Sequence, residues 1–182
     1  AINVIFQSHN EDVWIGTNRG GLAHYRDYTK NIYHLKHSLK VTSPISGNDV
    51  TAIAVDKYDR GWLAAYSDGI SVYNPDKRES VLINPELAGI KVIDIVIDEQ
   101  HAWVLNETGI SKINIDSLEV ENTFKVSDST LVANDTVKWV ELGNDKALIT
   151  HQNYGISIFD KNTQTFSNYQ TTNSPLNTNN FF

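Results

Sequence analysis

The 182 residues include 15 Lys and Arg against 22 Asp and Glu, a formal net charge of -7, with 40% hydrophobic residues and no Cys. That length and apolar share suffice for a folded core. The charge argues against nucleic-acid backbones and anionic membrane surfaces, which need clustered cations, and the lack of Cys excludes disulfides, thiolate metal sites and Cys nucleophiles.

The first unit opens with an alternating run from Ile2 to Gln7, turns at Asn10-Glu11-Asp12, continues through an apolar run around Trp14, and then reads Gly21-Leu22-Ala23-His24-Tyr25-Arg26 before a weaker run ending near Leu35. The second repeats this order: Val50 to Asp56, a turn from Asp56 to Gly61, a run around Trp62, Gly69-Ile70-Ser71-Val72-Tyr73-Asn74, and a run ending near Ile83. The third has Val92 to Asp98, Glu99-Gln100, Trp103, Gly109-Ile110-Ser111-Lys112-Ile113-Asn114, and an end near Phe124. The fourth has Val137 to Leu142, Gly143-Asn144-Asp145, Leu148 in place of Trp, Gly155-Ile156-Ser157-Ile158-Phe159-Asp160, and an end near Tyr169. β-Branched residues at period 2, bounded by Gly, Asn and Asp turns, predict strands. No segment holds a 3.6-residue period, so almost no helix is expected.

The repeated glycines are 40 to 48 residues apart, the spacing of propeller blades. In the third strand of the second unit, Ile70 and Val72 face one way and Ser71 and Tyr73 the other, so both faces carry apolar or small residues. A sheet buried on both faces needs a neighbour on each side, which radial stacking of four-stranded sheets supplies. The expected fold is all-β: a β-propeller segment of four four-stranded antiparallel blades at about 1–47, 48–90, 91–134 and 135–180. Ser43-Pro44-Ile45-Ser46-Gly47-Asn48-Asp49-Val50 aligns with Ser174-Pro175-Leu176-Asn177-Thr178-Asn179-Asn180-Phe181, so 181–182 would start a further blade. That register predicts excision from a larger propeller, of about seven blades, with a closed four-bladed ring as the alternative. An open arc would leave two blade faces uncovered, to be met by a homodimer or another chain. The start at Ala1-Ile2-Asn3, without Met or leader, is expected of a processed or excised segment.

Val13-Trp14-Ile15-Gly16-Thr17 followed by Gly20-Gly21-Leu22 resembles the two-component regulator propeller repeat. The second unit departs from it with Trp62-Leu63-Ala64-Ala65 and a single Gly69, the third with Trp103-Val104-Leu105, and the fourth by losing Trp. The resemblance spans essentially the whole chain. It implies a periplasmic sensor domain of a bacterial hybrid two-component system or diguanylate cyclase, membrane-anchored in its parent protein, with a small molecule or glycan as ligand and no chemistry of its own. Propellers serve unrelated functions, so a protein-interaction scaffold and a secreted lyase or lactonase stand as alternatives.

No phosphate loop, Gly-x-Ser-x-Gly, His-Glu-x-x-His or EF-hand loop is present, and no catalytic residue, metal or cofactor is expected. His34 and His37 read as solvated histidines, Asp56, Asp59 and Gly61 as a plain hairpin turn, and the Trp residues as core. Asn106-Glu107-Thr108 and Asn134-Asp135-Thr136 match the glycosylation sequon, silent in a bacterium. Antiparallel order puts the loops between second and third strands on the same rim as the inter-blade loops. The ligand candidates are therefore Asn18 and Arg19; Tyr66, Ser67 and Asp68; Asn106 and Glu107; and His151, Gln152, Asn153 and Tyr154. Rings beside amides and carboxylates suit a sugar, stacking on its apolar face while the polar groups meet its hydroxyls.

Overall fold

Period-2 patterning becomes four antiparallel sheets, each a meander of four strands in chain order. The computed structural model describes residues 1–38, 44–83, 87–107, 109–125, 136–142 and 145–180. Blade 1 comprises β1 (Ile2–Gln7), β2 (Val13–Thr17), β3 (Gly21–Arg26) and β4 (Asn31–Leu35). Blade 2 comprises β5 (Val50–Val55), β6 (Gly61–Ala65), β7 (Gly69–Asn74) and β8 (Glu79–Ile83). Blade 3 comprises β9 (Val92–Ile97), β10 (His101–Asn106), β11 (Gly109–Asn114) and β12 (Val120–Lys125), and blade 4 β13 (Thr136–Leu142), β14 (Lys146–His151), β15 (Ile156–Asp160) and β16 (Thr165–Tyr169). No α-helix occurs among the described residues. Ser43, Thr108, Gly143, Asn144, Asn134, Asp135 and the 181–182 pair, all invoked above, lie outside them.

The first strands β1, β5, β9 and β13 neighbour one another in sequence, so they line the axis and the fourth strands form the outer edges. Three apolar clusters hold the blades together. Trp14, Leu22, Val4 and Phe6 of blade 1 meet Ile53, Leu63 and Tyr73 of blade 2. Trp62, Ile70 and Val72 of blade 2 meet Ile95, Val104 and Ile113 of blade 3, and Trp103, Leu105 and Ile110 of blade 3 meet Trp139, Ile149 and Phe159 of blade 4. The alternation in β7 is realised: Ile70 and Val72 face blade 3 while Tyr73 faces blade 1. Each second-strand Trp is thus a wedge into the next blade. Gly61 accommodates one of them, since a Cβ there would lie 2.5 Å from Cζ3 of Trp14.

Asp56 and Asp98, read as the ends of first strands, instead build the turns that follow. Asp56 Oδ1 accepts the N–H of Tyr58 (2.9 Å) and Arg60 (3.0 Å), and Oδ2 accepts Arg60 Nε (2.8 Å) and Trp62 Nε1 (2.9 Å). Asp98 Oδ1 accepts the N–H of Gln100 and His101, and Oδ2 accepts Trp103 Nε1 at 2.7 Å. One carboxylate therefore closes a tight turn and anchors the wedge Trp. Blade 1 has Ser8 at this point, and Trp14 Nε1 has no hydrogen-bond partner among the described residues. The Trp14 ring instead stacks on His24, centroids 3.7 Å apart, and His24 Nε2 lies 3.1 Å from Asp12 Oδ2. The turn at Asp56, Asp59 and Gly61 is the hairpin expected, and its buried Asp56 carboxylate is already satisfied.

The outward face of blade 1 is uncovered: Ile2, Ile5 and Ile32 are 60%, 62% and 73% exposed. Their counterparts in blade 2, such as Ile53, are buried against blade 1. On the far side, Leu148, Ile156 and Ile158 of blade 4 are only half-buried. The four blades form an arc with both end faces open.

Candidate functional site

Backbone hydrogen bonds fix which loops share a rim. Gly21 N donates to Asn48 O (2.8 Å), Tyr66 N to Asp49 O (2.8 Å), Glu107 N to Lys91 O (3.1 Å) and Gly155 N to Asn179 O (2.9 Å). Every second-to-third-strand loop is thus tied to an inter-blade segment at the same end of the arc, as the antiparallel order requires. The glycine that enters the third strand has φ of +81° at Gly21, +85° at Gly69 and +82° at Gly155, conformations that favour Gly. Asn48 and Asn179 reinforce the join. Asn48 Oδ1 accepts His37 N and its Nδ2 donates to His37 O, while Asn179 Oδ1 accepts Thr171 N.

Between blades 2 and 3 this rim gathers several polar groups around one ring. Tyr66 is 48% exposed, and Lys91 Nζ stands 5.7 Å from its ring centroid. Glu107 Oε1 accepts Lys91 N at 3.3 Å. Asp49, whose carbonyl holds Tyr66 N, accepts Asn3 Nδ2 on Oδ1 at 2.8 Å. Ser67 and Asp68 are exposed beside Tyr66. Of the sequence candidates, Tyr66 and Glu107 therefore meet at Lys91, while the Asp68 carboxylate packs beside Gly47 toward blade 1; Asn18 and Arg19 are exposed on the blade 1 loop, and Gln152, Asn153 and Tyr154 (44% exposed) on the blade 4 loop.

Two candidates sit elsewhere than a loop reading places them. Asn106 ends β10 and His151 ends β14, and both are buried, at 2% and 1% exposure. His151 Nε2 lies 2.7 Å from Ser157 Oγ, which donates to Asn168 Oδ1. Strand alternation turns both side chains into the blade. Of the two histidines read as solvated, His34 is exposed with Nε2 on Gly20 O (2.8 Å), while His37 is half-buried with Nδ1 against Ile45 O (3.0 Å). Lys91, Asp49 and Asn3 were not legible as rim residues, because they come from inter-blade segments and the first strand. The Asn48 register could have located Asp49.

Titratable groups with shifted affinity lie away from this rim cluster. Burial pushes the His24 imidazole down despite the hydrogen bond and charge of Asp12. Burial pushes the Asp94 carboxyl up against the pull of Ile95 N–H and Lys138. Among the described residues no group of three or more His, Cys, Asp or Glu is placed to hold a metal ion.

No family model matches the sequence, and no curated protein matches it. Solved structures do. The extracellular domains of two hybrid two-component systems of B. thetaiotaomicron superpose with TM-scores of 0.73 and 0.74 at 21% and 22% identity, over 93% and 95% of this chain. Virginiamycin B lyase of Staphylococcus aureus superposes with a TM-score of 0.72 at 12% identity, over 93% of this chain and 55% of the lyase. The chain spans 24% of the length of each two-component domain, and at these identities the likeness establishes the fold, an all-β segment of a β-propeller.

Proposed function

We propose that this chain is a non-catalytic sensing segment of an extracytoplasmic propeller in a bacterial signal-transduction protein, and that it contributes part of a small-molecule or glycan site on the rim. The observation that carries the reading is the half-exposed Tyr66 ring under the Lys91 ammonium, with Glu107 on the Lys91 backbone and Tyr66 N fixed to Asp49 O by an inter-blade hydrogen bond. A pyranose places its apolar face on such a ring and its hydroxyls on carboxylate and ammonium groups. The likeness to two-component extracellular domains supports the location and the role, and the length of those domains supports further blades in the parent protein. On this reading the open end faces meet neighbouring blades or a second protomer.

The test is calorimetric titration of the chain with a panel of neutral and acidic oligosaccharides, alongside Tyr66→Ala. Loss of one face of stacking and its hydrogen bonds is expected to weaken binding about 10-fold, equivalent to about 1.4 kcal/mol. Saturable binding that Tyr66→Ala leaves unchanged would remove the rim from the account. No binding by any oligosaccharide would remove the glycan.

A further inference from the structure

A cavity of about 520 Å³ opens at the outer edge of the gap between blades 1 and 2. It is far from the axis, because its walls are the outer strands β4 and β8 together with β7. Tyr33 and Leu35 of β4, Pro44 of the inter-blade segment, Tyr73 of β7, and Arg78 and Ser80 at the start of β8 line it. Alternation along β8 turns Ser80, the register partner of Tyr73, into the gap, while Glu79, which also borders the cavity, is exposed at the alternate position opposite Asn74. The volume falls within the range of small-molecule sites.

Three polar side chains in this cavity lack the partners that such groups usually have. Tyr73 is 3% exposed, yet its hydroxyl makes no hydrogen bond to a described residue. Tyr33 is half-buried and its hydroxyl is likewise without a described partner. Arg78 makes no ion pair among the described residues; its guanidinium rests over the Tyr33 ring, 5.5 Å from the centroid. A guanidinium held over a ring in this way keeps N–H groups for a bidentate oxyanion. The neighbouring Arg26 is already paired, with Asp76 on Nη2 at 2.6 Å and Asp12 3.8 Å from Nε, so Arg78 is the cation left for a ligand. Neither neighbouring gap repeats the set. The register places Val81 and Asn122 where blade 1 has Tyr33, and Ile113 where blade 2 has Tyr73.

We propose that this gap is a binding site for a small six-membered-ring carboxylate, whose oxyanion pairs with Arg78, accepts from the Tyr33 and Tyr73 hydroxyls, and whose ring lies against Leu35 and Pro44. A positive, aromatic pocket in a chain of net charge -7 is selective for an anion that brings apolar surface with it. Sugar acids and aryl acids share this chemistry. The site is separate from the rim, so each stands or falls alone.

The experiment is titration of the 182-residue chain with D-galacturonate, 4-hydroxybenzoate and, as the uncharged control, D-galactose. One or both carboxylates are expected to bind saturably while galactose does not, and the stronger of the two identifies the source. Arg78→Ala is expected to weaken that binding at least about 10-fold, Arg78→Lys less, because a point charge cannot form the bidentate contact. Tyr66→Ala at the rim should leave it unaltered. Arg78 is exposed, and a thermal melt checks that the variants keep the fold. The proposal is overturned if neither carboxylate binds, if galactose binds as well as galacturonate, or if Arg78→Ala binds like the parent chain.

Discussion

Replacing Asp56 by Ala tests whether one carboxylate both closes a turn and anchors a wedge. The side chain is buried and takes four hydrogen bonds, two from the turn backbone, one from Arg60 Nε and one from the fully buried Trp62. Removing it leaves Trp62 Nε1 without an acceptor, a cost of about 1–3 kcal/mol. It also strands Arg60, whose side chain is 18% exposed, so this part falls below the roughly 3–5 kcal/mol of a sealed ion pair. A total of about 3–4 kcal/mol follows, equivalent to roughly 6–16 °C in Tm for a domain of this size. Urea unfolding followed by Trp fluorescence, with differential scanning calorimetry, reads it. Asp56→Asn should cost nearly as much, because an amide presents an N–H₂ either to the Trp and Arg donors or to the turn N–H groups. Ser8→Ala is the internal control: Ser8 donates to Asn10 Oδ1 and Asp12 O but does not hold Trp14, so about 1 kcal/mol is expected. A loss below about 1 kcal/mol for Asp56→Ala, or equal losses at Asp56 and Ser8, would refute the reasoning.

Two further substitutions follow from the shifted groups. His24 is held neutral by burial, so its folded pKa lies below the unfolded 6.5 and the unfolded chain takes up more protons as pH falls through 6.5. Stability should fall with acidification from 6.5 down to the lowered folded value, and His24→Gln should flatten that slope in melts between pH 7 and 5. Asp94 runs the other way: with its folded pKa raised by burial, ionisation at neutral pH costs stability that returns as pH falls through the raised value. Asp94→Asn can keep the contact from Ile95 N on its Oδ1, and a gain of roughly 0.5–1 kcal/mol at pH 7 is expected in denaturant unfolding.

The repeat made the fold legible because every blade must satisfy the same constraints. A Gly with positive φ enters the third strand, a wedge residue fills the gap to the next blade, and the first strand alternates. Gly21, Gly69 and Gly155, with Trp14, Trp62 and Trp103, carry that signal directly. The site was less legible because loop membership does not set side-chain direction. Asn106 and His151 sit one residue inside their strands, where the pleat buries them, whereas Tyr66 lies one residue beyond β6 and projects. The role of Asp56 was hidden for a related reason: an Asp in a turn reads as solvated until the Trp six residues later folds back over it. The outer cavity depends on Tyr33 from one blade and Tyr73 and Arg78 from the next, a pairing that single-unit reading cannot express.

Blade 1 differs from blades 2 and 3 in how its interior is neutralised, and the difference bears on where specificity resides. Blades 2 and 3 tie the wedge Trp to an Asp at the end of the first strand. In blade 1 the acid has moved to Asp12, across the turn, where it meets His24, accepts Asp27 N (2.8 Å) and lies 3.8 Å from Arg26 Nε. Arg26 in turn crosses to Pro75 O and Asp76 of blade 2. The gap between blades 1 and 2 is therefore bridged by buried charge beside its apolar cluster, whereas the charged contacts from blade 2 to blade 3, Lys57 and Tyr58 with Asp116 and Arg60 with Ile115 O, lie at the turn edge. A charged bridge is weaker glue than apolar burial but fixes orientation, and it leaves unfilled the space that Tyr33, Tyr73 and Arg78 line. The same departure from the repeat that costs Trp14 its hydrogen bond accompanies the inter-blade gap in which, among the described residues, a guanidinium without an ion pair lies over a ring.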